Sequence, residues 1–445
     1  MSDFSYAVVS SILHDRSAVE AIFSSFEPLL SELGGSRVEM DMDTSAVFPP
    51  FFFILTGGTE GIVLDYLSKS QSSLTGKPFP LVLLTHTHHN SLPAALEIAA
   101  RARQDGGSAL VIQIHSAVDA EARTEILEAA GLAKAVASMR GSRIGAVGEA
   151  SSWLVASSQT AAAMAAAWGS GLESIPIDDL RMAIEELRRD DQAGVDEKAG
   201  KAYKSYNAGR PGGLGVQARS FLEHACCRTE PANEDMYKSD TVYRALKGIA
   251  VKRKLNALTL RCFDILGFDG STGCFALSQL ADEGIDAGCE GDIPSIVGLR
   301  WTRLLSGMPG WMANPSEICV GKGGGKGRVV LAHCTVPRSL LSGYGIRSHF
   351  ESGIGVAVAG SFAPGPVTLI RVGGIGLDKA WVAEGFLVEC PSDEGLCRTQ
   401  AIIEMENTDI VKLLESPLGN HLVMGLGHWG KLARRYLALE NIAEV

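Results

Sequence analysis

Over residues 1–141, short apolar runs alternate with longer amphipathic ones. SYAVVSSIL reads as a strand, and FFFILTGGTEG as a strand running into a glycine turn. PLVLLTHTHHNSLPAALEIAARARQDGG reads as a strand, a polar loop and a helix closed by Gly-Gly, and SALVIQIHS as the next strand. Apolar runs too short for helices, alternating with segments of helical period, predict a parallel sheet with helices on both faces. The alternation resumes at SRIGAVGEASSWLVAS (142–157). It continues through SGLESIPIDDLRMAIEELRRD, LNALTLRCFDIL, GCFALSQLADEGI, DAGCEGD and IPSIVGLRWTRLLSG. After residue 305 the texture changes to short apolar runs punctuated by glycine: RVVLAHCTVP, GIGVAVAGSF, GPVTLIRVGG, KAWVAEGFLVEC and CRTQAIIEM. Those runs predict an antiparallel sheet or barrel, and HLVMGLGHWGKLARRYLALENIAEV closes the chain with an amphipathic helix. The expected architecture is α/β: two Rossmann-like parallel-sheet domains (1–141 and 142–305), followed by a β-rich, antiparallel barrel-like domain (306–445).

Composition narrows the function. Apolar residues make up 46% of the 445, enough for several packed cores, and the formal net charge of −11 argues against a general nucleic-acid binder. The basic run VKRKLNA (251–257) reads as a solvated helix face. AVFPPFFFIL (46–55) is too short to span a bilayer and carries two prolines. No basic segment precedes the first apolar run, so neither a signal peptide nor a membrane anchor is expected. Nine scattered cysteines without a CxxC pair predict a reduced, cytoplasmic chain with buried thiols. GKGGGKG (321–327) lacks the phosphate-loop spacing and its Ser or Thr, and reads as a hairpin turn.

The candidate chemistry centres on DAGCEGDIPSIVGLR, where Glu290 and Asp292 lie between a strand end and a helix. In open α/β sheets that edge is where ligands bind. Asp292 has the position of a helix cap, and Glu290 that of a second cap or surface acid, or of a group holding something positive. Arg261, in an apolar strand, needs an acid such as Asp264 or Asp269, or an anionic ligand. His333 sits inside an apolar strand, as a core histidine or a site residue. His349 and Glu351 are expected on one strand face, lining a pocket or forming an ion pair. The crowded histidines of HTHHN (86–90) fit a solvent-exposed loop better than a metal site. Asn314 precedes Pro315, which favours extended backbone.

An ordered set of motifs resembles the L-fucose isomerase / L-arabinose isomerase superfamily. The set is NSLPAALE (90–97), RIGAVGEASSWL (143–154), TLRCF (259–263), DEGIDAGCEGDIPS (282–295), LAHCTVP (331–337), HFESGIGVA (349–357), GPVTLIRV (365–372), VAEG (382–385) and LGNH (418–421). The resemblance implies aldose–ketose interconversion through an enediol, with a divalent cation, Mn²⁺ or alternatively Mg²⁺, held by an acid, a second acid and a histidine. Carried onto this chain, Glu290 and His421 match the first acid and the histidine, and Asn314 stands where the second acid should be. The implied catalytic residues are Glu290, Asn314 and His333, and the implied metal ligands Glu290, Asn314 and His421. Arg261, Asp264, His349 and Asn420 are implied at the substrate. The resemblance further implies a small sugar as partner and a homo-oligomer, trimer or hexamer, in which HTHHNSLPAALE approaches a neighbouring subunit. Asn314 can offer a neutral carbonyl oxygen but cannot be a base, which keeps two other functions open. One is a diverged lyase using the same enediolate chemistry; the other is a non-catalytic binding protein on the same fold.

Overall fold

The computed structural model describes residues 4–40, 48–70, 77–198, 214–321 and 325–445. The chain divides into two compact units: residues 1–140 with 432–443, and residues 141–431 with 444–445.

The first unit is built on a five-stranded parallel sheet of order β2-β1-β3-β4-β5. Its strands are β1 (Phe4–Val9), β2 (Gly35–Val38), β3 (Phe51–Ile54), β4 (Leu81–His86) and β5 (Ala109–Ile114). A parallel sheet is covered on both faces, so its central strands need not alternate apolar with polar; FFFI and the strand LVLLTH are buried throughout. The side chains still divide by parity. Phe51 and Phe53 join Tyr6 and Phe23 in one core, while Phe52 and Ile54 pack with Ala95 and Ile98 in the other. The closing apolar segment is a strand, Leu422–Leu426, followed by a shorter helix, Gly430–Glu440. Arg140 and Glu440 form a buried ion pair (2.7 Å) within the first unit.

The second unit contains three sheets, the smallest an antiparallel pair of β12 (Gly343–Arg347) and β13 (Ala357–Ser361). The first has four parallel strands of order β7-β6-β8-β9: β6 (Arg143–Val147), β7 (Gly171–Ile175), β8 (Ala257–Leu260) and β9 (Asp286–Cys289). The largest is antiparallel. Its strands include β10 (Trp311–Cys319), β11 (Gly327–His333), β14 (Gly365–Gly373), β15 (Lys379–Glu389), β16 (Thr399–Met405) and β17 (Leu422–Leu426). They pair in the order β14-β17-β10-β11-β16-β15, and β15 returns to β14, closing a six-stranded barrel. Closure removes the open edges that such glycine-punctuated strands would otherwise present. The second and third expected domains thus fold as one unit. The run GKGGGKG falls partly outside the described residues.

One helix, Ile293–Ser306, joins the parallel sheet to the barrel. Ile296, Val297, Leu299 and Trp301 are buried, and Gly298 lets the barrel come close: a Cβ there would stand 3.2 Å from Val423 Cγ2. The turn that feeds this helix is strained. Glu290 has φ +64° and Gly291 φ +71°, and a side chain with a Cβ reaches that region only at a cost. At Gly291 a Cβ would also lie 2.5 Å from Glu149 O and 2.8 Å from Ala150 Cα, both backbone atoms with no freedom to move aside. Gly291→Ala is therefore expected to destabilise the protein by about 1–3 kcal/mol, measured by denaturant unfolding.

Candidate metal centre

Three residues from three elements converge in the second unit. Glu290 follows β9, His333 ends β11, and His421 immediately precedes β17. Strand β10 lies between β11 and β17, with Asn314 opposite Ala332 and Ala313 opposite Leu422. The barrel register therefore brings both histidines to the same end, and their rings meet edge to face with centroids 5.6 Å apart. One ligand atom from each of Glu290, His333 and His421 lies within 4.8 Å of the others, and among the described residues this is the one such group of His, Cys, Asp and Glu.

Asp292 orients the group from behind. As the cap of Ile293–Ser306 its Oδ1 accepts from Ser295 N (2.8 Å), and its Oδ2 accepts from His421 Nδ1 (2.8 Å) and from Arg371 Nη1 (3.1 Å). Arg371, also buried, donates to the hydroxyls of Ser295 (2.7 Å) and Ser157 (2.8 Å). With Nδ1–H committed to Asp292, His421 turns Nε2 towards Glu290 Oε1 at 3.5 Å. That nitrogen is buried and, among the described residues, has no hydrogen-bond partner. His333 Nδ1 is likewise held, by Thr335 Oγ1 (2.8 Å). Two imidazoles whose far nitrogens are fixed and a carboxylate aimed between them are the donor set of a divalent-cation site backed by a carboxylate–histidine relay. The group can hold a metal ion.

The electrostatics agree. Burial opposes charge on Glu290, but His421 beside it holds the carboxyl below its usual pKa. Arg371 and His421 overcome burial at Asp292 and hold it far below the usual carboxylate range. Burial lowers the His421 pKa, but Asp292 and Glu290 outweigh it and raise the value to about 9. Burial and the neighbouring His421 push His333 down to about 3, so it is neutral and able to donate its lone pair. The raised pKa of His421 stabilises the metal-free fold fully below the unfolded value of 6.5, and the contribution fades as pH rises through about 9. The Tm advantage of metal-free wild type over His421→Asn is expected to be constant at pH 5–6 and to shrink towards pH 9.

The other expected site residues divide. Glu290, His333 and His421 come together, with His333 among the three possible ligands. Asn314 is half-buried on β10 between the two histidine-bearing strands, and its side chain makes no hydrogen bond with the described residues. Arg261 is not buried inside a strand. It lies just beyond β8, about a third exposed, paired with Asp264 at 3.1 Å. Asn420 is exposed. His349 and Glu351 lie in a turn rather than on a strand face, and His349 Nδ1 meets Ser352 Oγ at 3.0 Å. His86 is buried with Nε2 on Leu55 O (2.9 Å), while His88 and His89 are exposed.

Trp153 was not legible as a site residue. Its Nε1 donates to Glu290 Oε2 at 2.7 Å, although the side chain is half exposed. Its ring stands edge-on to Phe263 (5.1 Å), which in turn stands edge-on to His349 (5.7 Å). These three rings form a wall beside the carboxylate. Nothing local in the sequence marks Arg371, whose partner lies 79 residues away. No family model matches the chain, and no curated protein matches it.

Proposed function

We propose that the protein is a metal-dependent sugar isomerase that interconverts an aldose and a ketose through an enediol. The observation that carries this reading is the buried Glu290–His333–His421 group with Asp292 behind it, in an order of motifs that resembles the L-fucose and L-arabinose isomerases. We take the ion to be Mn²⁺, since two imidazoles with a hard carboxylate suit it better than Mg²⁺. A bound divalent cation would supply Lewis acidity towards adjacent sugar oxygens.

The rest falls to the protein's own side chains. Asp292 is fully buried and engaged with Arg371, His421 and a helix N-terminus, so it is a positioning residue. Glu290 keeps one side open: Oε1 faces the histidines and Oε2 lies towards the half-exposed Trp153. It is thus the carboxylate placed to move a proton between neighbouring sugar carbons. The neutral His333 serves as a lone-pair donor. The Trp153–Phe263–His349 wall offers apolar ring surface to a sugar's C–H face. Arg261 and Asp264, paired with each other, would turn to substrate hydroxyls. Asn314 would contribute a neutral carbonyl oxygen where relatives carry an acid. A homo-oligomer, trimer or hexamer, belongs to the same reading, and a monomer by light scattering at micromolar concentration would remove it.

The test is incubation with Mn²⁺ and a panel of free aldoses and ketoses, followed by NMR of the products. Isomer formation supports the reading. A ketose consumed with release of a shorter fragment would favour a lyase, and ligand binding without turnover a binding protein. Metal uptake carries its own signature. Ligation through His421 Nε2 must displace the proton that the charges of Asp292 and Glu290 stabilise on the imidazole, so apparent affinity should rise by up to tenfold per pH unit towards pH 9. Calorimetry in buffers of different ionisation enthalpy should find about one proton released per ion at pH 7.

A further inference from the structure

Two buried cysteines lie immediately beneath this site without taking part in it. Cys289 is the last residue of β9, directly before Glu290, and Cys262 follows β8 by two residues at the start of the helix Phe263–Asp269. The two strands are hydrogen-bonded neighbours, with Leu260 opposite Cys289. The Sγ atoms stand 2.8 Å apart, inside ordinary sulfur–sulfur contact and beyond the bond length of about 2.05 Å in a disulfide. Cys289 is held at its strand end: its N–H points at Met312 Sδ (3.1 Å), and β8–β9 pairing fixes its backbone. Cys262 lies in the turn that leaves the neighbouring strand, where its carbonyl accepts from Ile265 N (3.2 Å). A third buried cysteine, Cys274, begins the next helix.

We propose that Cys262 and Cys289 are an oxidation site, converted by a peroxide into an internal disulfide one residue from Glu290. One thiol gives up its proton and attacks the peroxide, breaking the O–O bond and forming a sulfenic acid with loss of water. The second sulfur attacks the sulfenic sulfur, forms the S–S bond and releases a second water. The sum is two thiols and one H₂O₂ to one disulfide and two waters, the two sulfurs supplying the two electrons. A dithiol reductant reverses it by exchange. The proposal does not depend on any isomerase activity.

The experiment treats full-length protein with hydrogen peroxide, quenches in acid, blocks remaining thiols with an alkylating agent and maps the peptides. Trypsin leaves Cys262, Cys274 and Cys289 on one peptide, residues 262–300, so a glutamate-specific protease is added to cut after Glu283 and separate Cys289 from the other two. The expected result is a dithiol-reversible crosslink joining the two fragments, present in wild type and in Cys274→Ser and absent in Cys262→Ala. The crosslink in Cys274→Ser is the decisive observation should Cys262→Ala fail to fold. Cys289 alkylated in full after peroxide, or a crosslink that disappears in Cys274→Ser, would overturn the assignment.

Discussion

Glu290→Gln is expected to abolish Mn²⁺ binding detectable by calorimetry and to lower isomerase turnover by roughly 10²- to 10⁴-fold, the range for removal of a positioned acid–base group. The substitution is nearly isosteric. Glutamine can still accept from Trp153 Nε1 through its carbonyl oxygen, and the strained turn at φ +64° is unchanged. What disappears is the one negative charge within the Glu290–His333–His421 group. The folded state should survive, with a Tm close to wild type, so lost activity would report the site and not the fold. Near-normal turnover would remove Glu290 from the mechanism.

Asp292→Asn is expected to be the more damaging change to the protein itself. Asparagine caps helices about as well as aspartate, so the bond to Ser295 N can persist. The negative charge between two buried cations is lost, however. Arg371 is 1% exposed and would be left with two serine hydroxyls and a backbone carbonyl, while His421 would lose the partner of its Nδ1–H. Removing one member of a buried ion pair costs about 3–5 kcal/mol, read as a large fall in Tm or denaturant midpoint. Metal affinity, measured at a temperature where the variant is folded, should fall about 10- to 100-fold because His421 is no longer oriented. A variant as stable as wild type would mean that Arg371 finds its counter-charge elsewhere.

Much of this was legible in the chain because it is encoded locally. The apolar run LVLLTH and the alternation of short strands with periodic helices could only be satisfied by covered parallel sheets. The glycine-punctuated runs after residue 305 could only avoid open edges by pairing among themselves, and they close into the barrel. The acids of CEGDIPS were conspicuous at a strand-to-helix turn, and Asp292 both caps the helix and orients His421, two roles that one carboxylate's two oxygens can fill together. What could not be read was set by distance along the chain. The approach of His333 to His421 depends on the intervening strand β10. The partnership of Arg371 with Asp292, and that of Trp153 with Glu290, span 79 and 137 residues. A lone Trp or Arg in an otherwise ordinary strand or turn carries no mark of such a partner. The single helix-joined unit formed by residues 141–431 was hidden for the same reason: the composition changes at the barrel, but the helix Ile293–Ser306 packs on both the parallel sheet and the barrel.

The central claim is a divalent-cation site made by Glu290, His333 and His421. The most direct measurement is a calorimetric titration of Mn²⁺ into chelator-treated wild-type protein and into Glu290→Gln and His421→Asn, at pH 7 in two buffers. One ion bound per chain with release of about one proton in wild type, and no measurable binding in either variant, is the predicted result. Undiminished binding in both variants, or none in wild type, would contradict it.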